Sequence, residues 1–172
     1  FHKMALLMAG GDLEDQRQLE KVLRERHHVM ESWVYLVGLV VLVWVLLMKG
    51  EVEQAWSWVQ RGIDRCRLSS SPKGVARDLD VLACYAASCL TILGRPGEAA
   101  EYLERAKKQV ESGKIELSLI ANYNAHRLLF YRESGELGAE AAAAEEDFLA
   151  LGIKPSLAPL YRRHFYVAGV YR

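Results

Sequence analysis

Three groups of residues in this chain carry side chains capable of chemistry. His27 and Glu31 stand four apart, the spacing at which an imidazole and a carboxylate on one helix face ligate a divalent cation. Two protein ligands without a third make a poor metal site, so the pair reads as solvated surface and no metal is expected. Asn122, Asn124 and His126 put two amides and an imidazole on one helical run. No serine or cysteine nucleophile is presented beside them, which leaves a hydrolase unsupported. YRRHFY, residues 161–166, interleaves basic and aromatic side chains in the way of a surface that stacks on nucleic acid. It is isolated, however, in a chain with 22 Lys and Arg against 22 Asp and Glu, which sets up no field to gather nucleic acid or anionic lipid. An amphipathic helix with its aromatics turned inward is the reading adopted.

The cysteines complete the inventory. Cys66, Cys84 and Cys89 form no CxxC pair, and an odd number cannot close into a full disulfide framework. Cys84 and Cys89 are five apart, which on a helix turns them about 140° from each other. We expect reduced, structural thiols in a cytoplasmic protein, and no cofactor.

The elements that position these residues follow a glycine rhythm. Gly11, Gly50, Gly94 and Gly135 each end an apolar run and precede an acidic or amphipathic segment, at intervals of 39, 44 and 41 residues. A period in that range signals stacked two-helix repeats. Glycine suits the tight turn between helices, where the chain must often take positive φ.

After Gly94, Ala99, Leu103, Ala106 and Val110 make one apolar stripe. Opposite it, Glu101 with Arg105 and Glu104 with Lys108 are spaced to form i,i+4 pairs. After Gly50, the apolar face holds Val52, Ala55, Trp56, Val59 and Ile63, and the outward positions are Glu53, Gln60, Arg61 and Asp64. LSSSPKGVARD, residues 68–78, reads as a loop on its serines and proline. Helices are predicted before and after Gly135, at 115–134 and 140–151, and a last one at 157–172. The N-terminal region reads as a helix over 1–9 and a second over 13–28. No segment alternates like a strand, so the chain is expected to be all-α. At 172 residues it is long enough for one domain with a sizeable core. Beginning at Phe1 with a half-formed pattern, it reads as a piece of a longer polypeptide.

Trp33 to Met48 is the most apolar run. As a helix it would extend about 24 Å, short of the about 30 Å hydrocarbon core of a bilayer. Counted back from Gly50, it occupies the place that VLACYAASCLTIL holds before Gly94. A helix covered by its partner and by both adjacent repeats need not be amphipathic, so burial in protein is expected. The alternative is a membrane-associated protein in which residues 33–48 insert.

These residues resemble the tetratricopeptide class of helical repeats. That pattern sets a turn glycine, an alanine five residues later, a large apolar residue four further on and a small residue three beyond. Gly94, Ala99, Leu103 and Ala106 match it, as do Gly50, Ala55 and Val59 until Gly62 takes the small position. After Gly135 the expected alanine is Glu140, and the stripe recovers by a slip of one to Ala141 and Phe148. Intervals near 40 look more like the looser repeats in the sensor region of ATP-dependent transcriptional activators of the MalT and LuxR-like type.

The resemblance implies a right-handed α–α superhelix of about four helix pairs, one domain over 1–172. The repeats would cover 1–31, 32–68, 75–113 and 115–152, with the last helix beyond. It implies a scaffold, not an enzyme, that binds a protein or peptide partner or a small inducer, with self-association open to it. No nucleic acid or membrane contact is expected of this segment. The first helix of each pair would line a concave groove. Its candidate residues are Val37, Val40, Trp44 and Leu47, then Val81, Cys84, Ser88 and Thr91, then Asn122, Ala125, Leu129 and Arg132. Val40 and Trp44 stand where carboxylate-clamping tetratricopeptide groups carry lysine and asparagine, which argues against a chaperone-tail receptor. An all-helical enzyme of unrecognised type is the other alternative.

Overall fold

The computed structural model describes residues 13–68, 72–113, 117–135 and 138–152. Among these residues there are seven helices and no strand: α1 (Leu13–Glu25), α2 (Ser32–Met48), α3 (Val52–Leu68), α4 (Pro72–Ile92), α5 (Pro96–Glu111), α6 (Leu117–Glu133) and α7 (Ala139–Ala150). The chain is all-helical there, as the absence of alternation leads one to expect. The helices expected over 1–9 and 157–172 lie outside the described residues, and so does YRRHFY. The contacts divide the chain into units of residues 1–82 and 83–172, with the division inside α4.

The glycine turns have a local cause. Gly50 and Gly94 adopt φ of +77° and +72°. After α2 the Glu51 N–H donates to Leu46 O at 2.9 Å and the Gly50 N–H to Leu47 O at 3.0 Å. After α4 the Arg95 N–H donates to Leu90 O at 2.8 Å and the Gly94 N–H to Thr91 O at 3.0 Å. Both ends are Schellman caps, which satisfy the last carbonyls and require a left-handed residue at the glycine. A Cβ at Gly94 would meet nothing within 4 Å, so only backbone strain opposes substitution. Gly94→Ala is therefore expected to cost about 1 kcal/mol in urea unfolding, with no change in slope.

In the first unit α2 packs against α1 and α3. Leu39, Val40, Val41, Leu42 and Val43 are consecutive and all buried, and at about 100° per residue they cover every side of the helix. No described helix is long and apolar enough to cross a membrane. Gly62 of α3 faces Leu39 and Leu82, and a Cβ there would stand 3.0 Å from Leu82 Cδ1, so the small position is a point of close approach.

Four local expectations are corrected. α4 starts at Pro72, so the loop expected over 68–78 is helical from that residue. Proline fits the first helical turn because its missing N–H has no partner to lose there. On α3, Trp58 is buried while Trp56 is only half-buried. Trp58 lies beneath two guanidinium groups, Arg24 at 5.6 Å and Arg61 at 5.1 Å from its ring centre, so cationic side chains complete its cover. α1 ends at Glu25, so His27 and Glu31 share no helix face. His27 Nδ1 donates to Arg24 O at 3.0 Å, Glu31 accepts from Trp33 Nε1 at 2.6 Å, and the described residues contain no cluster fit for a metal. On α5 an ion pair closes between Lys107 and Glu111 at 3.8 Å, and Glu104 forms none with Lys108.

In the second unit α6 packs against α5 and α7. α7 turns Ala141, Ala144 and Phe148 onto Ala121, Ala125 and Leu128 of α6, the register reached by slipping one residue past Glu140. Arg127 bridges to Asp147 at 2.9 Å and Arg132 to Glu145 at 3.5 Å, both from α6 to α7.

Candidate functional site

Half of the groove positions are covered. Val40, Cys84, Ser88, Thr91, Asn122 and Ala125 are buried, whereas Val37, Trp44, Leu47, Val81, Leu129 and Arg132 are half-buried. Some of these positions keep unsatisfied atoms. Trp44 Nε1, Asn122 Oδ1 and Arg132 Nη1 are buried without a protein hydrogen-bond partner, the kind of atom that takes an ordered water or a ligand group.

One relation escaped the sequence. Ser88 of α4 and His126 of α6 share a hydrogen bond of 2.5 Å between Oγ and Nδ1. A hydroxyl is thus presented to His126 after all. Tyr85 stands edge-on to the same imidazole, with ring centres 4.6 Å apart. Ser88 is 1% exposed and His126 2% exposed, so the pair has no access for a substrate and acts as a polar tie between two helices. Nothing in the spacing of 38 residues announced it.

Cys66, Cys84 and Cys89 are free and buried. Burial pushes the Cys89 thiol from an ordinary 9.0 up to about 12. Between those values the folded chain keeps a proton that the unfolded chain has lost, so stability falls as pH rises from about 9 toward 12. Cys89→Ala is expected to flatten that decline in melts recorded across the alkaline range. Alkylation of native Cys89 at pH 8 should run at the rate of unfolding, because only the thiolate reacts and burial suppresses it.

The open site lies on another face. A cleft of about 540 Å³ runs over α6, walled by α5 and α7. α5 supplies Leu103, Glu104, Lys107 and Glu111, α6 supplies Tyr123, Asn124, Arg127, Phe130 and Tyr131, and α7 supplies Asp147, with Leu151 just past its end. At about 100° per residue, Tyr123, Arg127 and Tyr131 fall roughly opposite Asn122, Ala125 and Leu129 on α6. Arg127 is committed: it donates to Asp147 and lies 5.7 Å over the Tyr131 ring. Burial, opposed by Arg127, pushes the Tyr123 phenol up to about 12, and it stays neutral at physiological pH. The volume is in the range of small-ligand pockets, and the lining mixes aromatic surface with a few polar groups.

The described residues thus form helices, several of them ended by left-handed glycines, and a cleft over α6. No family model matches the chain, and no curated protein or solved structure proves similar to it.

Proposed function

We propose that the chain is a non-enzymatic binding module, a right-handed superhelix of about four tetratricopeptide-like pairs, within a larger bacterial signalling or transcription regulator of the cytoplasm. It takes a protein or peptide partner, or a small inducer, and leaves nucleic acid and membrane to other segments. The observation that carries this reading is the repetition of one turn: Gly50, Gly94 and Gly135 take φ of +77°, +72° and +78° at the ends of α2, α4 and α6. Stacked hairpins that share a turn expose a continuous surface to a partner.

The test is selection of a random peptide library on the immobilised chain, with a search for turnover of bound metabolites alongside. Enrichment of a consensus without turnover is the expected result. Failure to enrich any sequence together with failure to retain any small molecule, or conversion of a bound metabolite, overturns the reading.

A further inference from the structure

Among the described residues the charges along the cleft do not balance. Its lining holds three carboxylates, Glu104, Glu111 and Asp147, against two cations, Lys107 and Arg127. Lys107 pairs with Glu111 at 3.8 Å and Arg127 with Asp147 at 2.9 Å. Among the described residues Glu104 is left over: the i,i+4 partner the sequence offers it, Lys108, forms no ion pair with it. Its carboxylate stands near enough to Tyr123 to help hold that phenol protonated. In the same lining, Tyr123, Phe130 and Tyr131 present aromatic surface and Leu103 and Leu151 aliphatic surface. A surplus carboxylate beside π-systems attracts a cation, and the apolar walls favour one that carries a hydrocarbon body. An anion would find both cations already neutralised.

We propose that the cleft between α5, α6 and α7 binds an organic ammonium group on an apolar stem, with Glu104 as its counter-charge. This rests on the binding-module reading and names the ligand class of that module. The chemistry is shared by a free alkylamine and by a lysine side chain of a partner, and the test separates them.

The experiment is NMR titration of the full chain with n-hexylammonium, n-hexanol, hexanoate and a capped tripeptide with central lysine. Saturable shifts at Tyr123, Arg127 and Tyr131 are expected with n-hexylammonium, with n-hexanol about fivefold weaker and hexanoate weaker still. Glu104→Gln should bring n-hexylammonium down to the level of n-hexanol and leave n-hexanol unchanged, and Glu104→Asp should restore part of the difference. Because Glu104 is exposed, neither variant should disturb folding, which far-UV circular dichroism checks. The tripeptide matching n-hexylammonium assigns the site to a protein partner, and the tripeptide failing assigns it to a free amine. Hexanoate binding as well as n-hexylammonium, indifference to Glu104→Gln, or no saturable binding by any probe overturns the proposal. A library consensus obtained beside such a failure leaves the module reading standing.

Discussion

Phe148→Ala is expected to lower the unfolding free energy by about 3–5 kcal/mol, read from the midpoint of urea denaturation at constant slope. Phe148 is 1% exposed and packs in one cluster with Ala121, Ala125 and Leu128 of α6 and with Ala141 and Ala144 of its own helix. Four of those five neighbours are alanines, which have no rotamers with which to fill the vacated space. The cost therefore includes a cavity as well as the lost transfer energy. Asp147 of α7 and Leu151 at its C-cap, which wall the cleft, lie within a turn of Phe148, so ligand shifts at Tyr131 should weaken in the same variant. An effect below about 1 kcal/mol would mean that α7 is not held by this core.

Leu42→Asp is expected to be worse, with loss of the cooperative thermal transition. Leu42 is 0% exposed, and its neighbours Val41 and Val43 are 1% and 0% exposed, so a carboxylate there has no side of the helix from which to reach water. An unpaired buried charge costs more than about 4 kcal/mol, a large part of the total stability of a domain. Met48→Gln on the same helix is the control: Met48 is 55% exposed and should move the midpoint by no more than about 0.5 kcal/mol. Equal effects at the two positions would show that protein does not cover α2.

Much of this architecture was legible because its signals are local. A glycine that must take positive φ marks a helix end wherever it falls, and Gly50, Gly94 and Gly135 did so. The run from Trp33 to Met48 was placed by register, since its own composition fits two environments. What stayed hidden depends on which face of a helix meets which neighbour. On α6, residues Ala121 to His126 are all buried, so no stripe distinguishes the side that carries Asn122 and Leu129 from the side that carries Tyr123 and Arg127. For that reason the cleft was missed and Ser88 was not joined to His126. Trp58 was passed over for Trp56 because its cover comes from Arg24 and Arg61, and charged residues leave no apolar pattern to read. The surplus of Glu104 is likewise a matter of which i,i+4 pair closes, which spacing alone leaves open.

The packing of α1 on α2, α2 on α3, α5 on α6 and α6 on α7 joins elements that follow one another along the chain. Such a polypeptide need not wait for a distant segment before burying its first apolar surface. Low contact order of this kind favours rapid folding, and each hairpin can consolidate while the next is still leaving the ribosome.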